Sequence, residues 1–120
     1  MDLEALHAMS LQLRRDVVEM VYRTKDGHPS PSFSVADIIT ALYFEVMNID
    51  PSNPDKSDRD RFVLSKGHAC PVLYAALARR GYFPVDDLYT LRYLHSKLQG
   101  HPYVPKTKGL DATTGSLGNG

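Results

Sequence analysis

Three of the five histidines directly follow a glycine, in the dipeptides Gly27-His28, Gly67-His68 and Gly100-His101. Random placement of eight glycines and five histidines along the chain would give about a third of one such pair. A preceding glycine lets the backbone bend and leaves the imidazole uncrowded. Imidazole donates hydrogen bonds to phosphate or hydroxyl oxygens and moves protons near neutral pH. Together the three pairs predict one shared ligand site built from loops.

His68 has the most informative surroundings of the three. It follows a short apolar run, Phe62–Ser65, that is predicted to be a buried strand, and it precedes a predicted helix over Pro71–Arg80. Ligands of open α/β sheets bind where strands end, and helix starts attract anions. We therefore expect a phosphate near His68 and Lys66. The alternative that the pattern leaves open is a histidine that caps the helix or bonds to a neighbouring loop.

His28 and His101 each stand in a Gly-His-Pro tripeptide. Either tripeptide alone is typical of a tight turn whose proline restricts the backbone and whose histidine faces water. The recurrence of the pattern favours a site that both share with His68. His7 and His95 lie on predicted helix faces and are assigned no role.

The same loops contain residue types that bind zinc, namely the three histidines and Cys70. Their spacing is irregular and includes no paired Cys-x-x-Cys or His-x-x-x-His, so we assign no metal ligands and expect Cys70 to be a small buried side chain. The acidic loop over 50–60 lacks the central glycine and the closing glutamate of an EF-hand. A small metal-binding module is kept as the third of three hypotheses.

Composition excludes several classes of protein. The 120 residues include 14 basic and 14 acidic side chains, a balance that argues against a broad nucleic-acid or membrane surface. No apolar run approaches the roughly 20 residues that span a bilayer, and the charged N-terminus is not a signal peptide. A single cysteine permits no internal disulfide. These features predict a cytoplasmic protein.

The elements that must position the loops are mostly helical. Apolar residues recur at helical spacing over 2–24, and Ser34, with Asp37 three residues later, predicts the start of a second helix over 35–48. Further helices are expected over 71–80, where Pro71 suits the first turn, and over 86–98. Only loop signals follow from Gln99 onward.

The single predicted strand has no convincing partner in the chain. A short buried strand followed by a loop and a helix is half of a parallel βα unit, and a parallel sheet needs more strands than this chain supplies. The expected fold class is therefore α/β, with 1–120 forming the incomplete, helix-rich N-terminal part of a parallel-sheet domain. The glycine-rich end TTGSLGNG, 113–120, is expected to lead into a further helix.

Four segments taken in order resemble the thiamine-diphosphate-dependent transketolases. They are GHP at 27–29, DRDRFVLSKGHA at 58–69, LQGHP at 98–102 and TTGSLG at 113–118. The resemblance is closest to the N-terminal, diphosphate-binding subunit of split transketolases and covers the chain from about residue 10. It implies transfer of a two-carbon ketol unit from a ketose phosphate to an aldose phosphate, with thiamine diphosphate as cofactor, in carbohydrate metabolism such as the pentose phosphate pathway.

The resemblance also implies a role for each matched residue. His28 would contact the donor sugar, His68 the cofactor diphosphate and substrate hydroxyls, and His101 further substrate hydroxyls. Backbone at Gly115 and Leu117 would touch the aminopyrimidine of the cofactor. The family's ligands for Mg²⁺ or Ca²⁺ come after the TGSLG segment, so no metal ligand is assigned here.

The resemblance implies a partner as well. The glutamate that activates the cofactor belongs to the C-terminal, pyrimidine-domain subunit in split enzymes. We therefore expect a hetero-oligomer that acts on sugar phosphates, active only with the continuation of this domain and with that partner, and no activity of this chain alone. The second hypothesis is a truncated, non-catalytic fragment or partner-binding piece, with exposed apolar surface around Phe62–Leu64 as its signature.

Overall fold

Helices form the framework of residues 1–118, which are the residues that the computed structural model describes. Asn119 and Gly120, at the glycine-rich end, lie outside the described residues. The α-helices are α1 (Leu3–Thr24), α2 (Pro29–Ala41) and α3 (Cys70–Arg80). A π-helical turn, Leu42–Val46, prolongs α2, and 3₁₀ turns span Gly67–Ala69 and Val85–Thr90. No helix among residues 1–118 is long and apolar enough to cross a membrane.

The first helix confirms the prediction over 2–24. Asp2 caps it, since its Oδ1 accepts a hydrogen bond from the Ala5 N–H at 2.8 Å. Lys25 ends it in the left-handed region at φ 56°. Three of its periodic apolar residues, Leu13, Val17 and Met20, are fully buried.

The second helix begins earlier than predicted, and Ser34 is not its cap. His28 is the N-cap residue, and Pro29 occupies the first turn, where its missing N–H leaves no hydrogen bond unmade. Ser34 lies inside the helix and donates to the Pro31 carbonyl at 3.0 Å. Asp37 pairs with Arg14 of α1 instead of closing a capping box. The helix therefore starts at the Gly-His-Pro tripeptide itself.

The third helix lies at the centre of the core. Every residue over 70–78 is buried, and α3 packs against α1, α2 and the Val85–Thr90 turn. Its bounds agree with the predicted 71–80, with Pro71 in the first turn and Gly81 ending the helix at φ 108°. The N-terminus of α3 follows directly from the Gly67-His68 turn.

The predicted strand over Phe62–Ser65 is wrong for this structure, and no strand occurs among residues 1–118. A strand needs a neighbouring strand to accept and donate its backbone hydrogen bonds. Here the Phe62 N–H donates to Asp111 Oδ2 at 2.7 Å. Leu64 is buried and the Phe62 ring meets Tyr43 edge to face, so burial without a ladder explains the apolar run.

The predicted helix over 86–98 is also wrong. Only Val85–Thr90 is helical, and it is 3₁₀. Leu91 leaves the helical region, and Arg92 and His95 adopt left-handed conformations at φ 64° and 67°. Leu91 and Leu98 are fully buried all the same, within a compact turn.

Candidate functional site

Gly67 brings three of the sequence motifs into contact. A Cβ placed on it would lie 2.6 Å from Thr114 Oγ1, 3.1 Å from His101 Cδ2 and 3.3 Å from the Gly115 carbonyl oxygen. These distances leave no room for a side chain. The Gly67-His68 turn, the second Gly-His-Pro and the glycine-rich segment therefore meet at one point beside the N-terminus of α3.

His28 joins this group through His68. The two imidazole rings lie edge to face, with centroids 5.7 Å apart and planes at 85°. Gly27 lets the loop pack closely against the core, because a Cβ placed on it would lie 3.3 Å from both Leu91 Cδ2 and Val21 Cγ2. Its φ of 108° also favours glycine. The structure thus places His28 beside His68, and His101 beside the turn that carries His68.

Two adjoining clefts open at the junction. One has a volume of about 660 Å³ and is lined by Val63, Ser65 and 113–118, which include Gly115 and Leu117. The other, of about 530 Å³, is lined by 99–103, which include His101, and by Lys106, Thr113 and Thr114. Both clefts share Thr113 and Thr114. Gly115 and Leu117, two of the three residues matched to cofactor binding, and His101, matched to substrate binding, therefore line neighbouring clefts.

Two donors from α3 hold the backbone that carries His101. The Tyr74 hydroxyl donates to the Gln99 carbonyl at 2.6 Å, and the Cys70 thiol donates to the Gly100 carbonyl at 3.2 Å. Burial raises the pKa of Cys70 to about 12 and raises the pKa of Tyr74 as well, so both groups stay protonated near neutral pH. Sequence reasoning found Cys70 only as a buried side chain and missed Tyr74, because no local pattern marks either contact.

The Lys66 ammonium bonds to the first turns of α2. It donates to the Pro31 carbonyl at 2.9 Å and to Ser34 Oγ at 2.7 Å. Ser32 Oγ donates to the Ala69 carbonyl at 3.2 Å. These bonds attach the His68 turn to the first turns of α2. Lys66 therefore positions the turn, and the phosphate expected near it stays a prediction.

Asp111 orders the wall of the larger cleft. Its carboxylate accepts from the Arg59 guanidinium and from the Phe62 N–H. Both partners precede Val63 and Ser65, whereas Asp111 precedes the glycine-rich segment. A partly buried, charge-assisted pair of this kind holds the two sides of the cleft together.

Thr114 carries a buried polar atom that the fold does not use. Its Oγ1 is shielded from solvent and makes no hydrogen bond within the described residues, although its N–H donates to the Pro102 carbonyl at 3.0 Å. Leaving such a group unpaired costs about 1–3 kcal/mol. Thr114 lines both clefts, at the place where they adjoin.

The described residues contain no cluster of three or more His, Cys, Asp or Glu side chains that could hold a metal ion. Cys70 directs its thiol at backbone carbonyls, away from any such role. The arrangement at the junction is one of imidazoles, a hydroxyl and glycine backbone, which suits hydrogen bonding to oxygen-rich ligands.

Comparison with known proteins gives a consistent result. A family model described as transketolase, thiamine diphosphate binding domain, matches residues 7–120. The 6-deoxy-6-sulfo-D-fructose transketolase subunit SqwG of Clostridium sp. (strain MSTE9) is 47% identical over 108 residues, which are 90% of this chain and 39% of that protein. One of the subunits of the apulose-4-phosphate transketolase of Phocaeicola vulgatus is 39% identical over 120 residues, which are 100% of this chain and 42% of that protein.

Solved structures agree with these relatives. The transketolase of Leishmania mexicana superposes with a TM-score of 0.89 at 38% identity, covering 94% of this chain and 17% of that one. The transketolase of Campylobacter jejuni gives 0.87 at 35% identity, covering 98% and 18%. The chain thus spans about two fifths of the length of the Clostridium and Phocaeicola subunits. It spans less than a fifth of the length of the Leishmania and Campylobacter transketolases. The expected fold class, the helix-rich N-terminal part of this domain, is confirmed.

Proposed function

The chain belongs to the transketolase thiamine diphosphate-binding domain family, and from that premise we propose that residues 1–120 are the N-terminal portion of such a domain and serve in ketol transfer. The two-carbon unit would pass from a ketose phosphate to an aldose phosphate. One observation carries the proposal. The four segments that resemble the family, far apart in sequence, meet around Gly67 and His68.

In this proposal the chain's own groups bind and orient. Thiamine diphosphate, when bound, supplies the carbon nucleophile and electron sink of the reaction. His28 and His101 donate to sugar hydroxyls, and His68 to a diphosphate oxygen and a substrate hydroxyl. Backbone at Gly115 and Leu117 packs on the aminopyrimidine. Holding hydroxyls and phosphates in one geometry accounts for a large part of such a rate enhancement.

A partner belongs to the proposal. Two of the relatives are named as transketolase subunits. We therefore propose a hetero-oligomer with a C-terminal, pyrimidine-domain subunit that supplies the activating glutamate, located in the cytoplasm. Mg²⁺ or Ca²⁺ accompanies the cofactor in the assembled enzyme, with no ligand assigned to this chain. Residues 1–120 alone are expected to show no ketol transfer.

The test uses the subunit that contains these residues, with and without the pyrimidine-domain subunit of the same source. Cofactor binding is followed by calorimetry, and ketol transfer is followed with a panel of ketose phosphate donors. His68→Asn and His101→Asn should each lower the rate of the assembled enzyme by about 10²-fold or more, since each removes a positioned donor. His7→Asn is the matched control, because His7 is exposed on α1. Equal rates for the three variants would overturn the proposal.

One observation favours the second candidate, a non-catalytic piece that binds a partner. Val63 is 58% exposed in the middle of an apolar run and lines the larger cleft. If this candidate holds, Val63→Asp should abolish binding of the pyrimidine-domain subunit, and no assembly should bind thiamine diphosphate. Binding of the cofactor by the assembly would exclude it.

A further inference from the structure

Arg92 adopts a backbone conformation that is unfavourable for a residue with a side chain. Its φ of 64° lies in the left-handed region, which is uncommon for residues other than glycine. Its N–H donates to the Leu98 carbonyl at 2.8 Å, closing the compact turn that replaces the expected helix. Tertiary contacts therefore hold Arg92 in this conformation.

The Arg92 guanidinium lies between the two Gly-His-Pro loops. Its Nε is 2.9 Å from Asp26 Oδ2, in the residue that precedes Gly27. A Cβ placed on Gly100 would be 2.7 Å from Arg92 Nη1 and 2.9 Å from Cζ, so the guanidinium lies against the Gly100 backbone. His28 and His101 are the next residues along the two loops.

Asp26 completes the connection. Its second carboxylate oxygen, Oδ1, accepts from the Gly27 N–H at 2.9 Å. One carboxylate thus holds both the backbone of the first loop and the guanidinium that touches the second. The attraction between the two opposite charges draws the loops together.

We propose that the Asp26–Arg92 ion pair is a positioning clamp that sets the spacing between the His28 loop and the His101 loop. The side chains of the pair are 49% and 34% exposed, so the pair contributes little to global stability. Its effect is local. It determines whether two hydrogen-bond donors match the hydroxyls of one sugar chain, and in that respect the inference rests on the proposed function.

Three variants test the clamp. Asp26→Asn keeps a group that accepts from Gly27 but removes the charge. Gly100→Ala inserts a methyl group where the guanidinium lies, and the backbone at Gly100 has no positive φ that would oppose alanine. Asp26→Glu keeps the carboxylate and is the rescue variant. Glu19→Gln is the matched control, since it breaks the exposed Glu19–Arg23 pair at 2.8 Å on α1.

The first readout is the NMR spectrum of the labelled histidine rings in the full chain, without cofactor or substrate. Asp26→Asn and Gly100→Ala should both shift the His28 and His101 signals and leave those of His7 unchanged. Asp26→Glu should restore most of the shift, and Glu19→Gln should move neither signal. The melting temperature should fall by less than about 5 °C in each variant.

The second readout is kinetic, in the assembled enzyme. The clamp predicts a rise in KM for the ketose phosphate on the order of 10-fold for Asp26→Asn and Gly100→Ala, with cofactor affinity changed less than twofold. Unchanged histidine signals would overturn the clamp even if ketol transfer is found. A variant that simply unfolds would overturn it too, because the pair would then be a general stability element. Shifted signals without any ketol transfer would uphold the clamp and refute the proposed function.

Discussion

Single atoms decide how closely the loops approach one another. Gly67 and Gly115 belong to segments that meet, yet they differ in their surroundings. A Cβ at Gly67 would overlap Thr114 and His101, whereas a Cβ at Gly115 would meet no atom within 4 Å. Neither has a positive φ, so the difference between them is one of space alone. This contrast makes the pair a direct test of the packing at the junction.

Gly67→Ala is expected to lower the free energy of unfolding by about 1–3 kcal/mol, because the methyl group must displace Thr114 or the His101 loop. Gly115→Ala should change it by less than about 0.5 kcal/mol. Urea unfolding followed by circular dichroism measures both. Equal losses for the two variants would show that the segments do not meet as described.

The buried thiol of Cys70 predicts a pH dependence. Burial raises the pKa of Cys70 from 9.0 to about 12. A raised folded-state pKa contributes stability that is fully present below pH 9 and is lost as the pH rises toward 12. Cys70→Ala should therefore weaken the decline of stability between these pH values. A decline as steep in Cys70→Ala as in the original chain would assign it to other groups, such as the buried tyrosines.

At the scale of the helices, the Asp16–Arg79 ion pair connects α1 to α3. Arg79 donates through Nε and Nη2 to the two carboxylate oxygens of Asp16, both at 2.8 Å. Gln12 also donates to Asp16, whose side chain is only 4% exposed. A bidentate pair with one buried partner positions the helix whose N-terminus carries the site.

Asp16→Ala should destabilise the chain by about 2–4 kcal/mol, since it leaves the Arg79 guanidinium partly buried without its partner. Glu19→Ala, on the exposed face of the same helix, should cost less than about 0.5 kcal/mol. Thermal and urea unfolding of the two variants give the comparison. Similar small losses would mean that the Asp16–Arg79 pair does not hold α1 against α3.

Taken as one body, the chain has the dimensions of a folded domain. Its radius of gyration is 13.3 Å, close to the roughly 13.6 Å expected for a compact chain of this length. The core is continuous from α1 through α3 to Leu98 and Leu110. A continuous core of this kind favours all-or-none unfolding over the behaviour of a marginal fragment.

The chain is therefore expected to unfold in one transition. Circular dichroism and tyrosine fluorescence should give the same midpoint in urea, and the calorimetric enthalpy should equal the van't Hoff enthalpy. Two separate midpoints, or a gradual loss of signal, would contradict this expectation. They would instead support the hypothesis of a weakly folded, partner-binding piece.

Local pattern was sufficient for α1 and α3, because apolar periodicity and a first-turn proline both act within a few residues. It was also sufficient to single out the three Gly-His loops and the family they resemble. It failed for the start of α2, where Ser34 offered a plausible cap but Pro29 had already begun the helix. It failed again at 86–98 and at Phe62–Ser65, where burial was mistaken for regular structure.

Contacts between residues far apart in the chain could not be predicted from local sequence pattern. Nothing near Arg92 in the chain indicates that it reaches Asp26, and nothing near Thr114 indicates that it lies on Gly67. Such contacts depend on how α1, α2 and α3 pack, which fixes where each loop leaves the core. Residue types and their order are enough to suggest which groups act on a ligand. Their distances come only from side-chain packing across the whole fold, because close-packed interiors couple every loop to the helices beneath it.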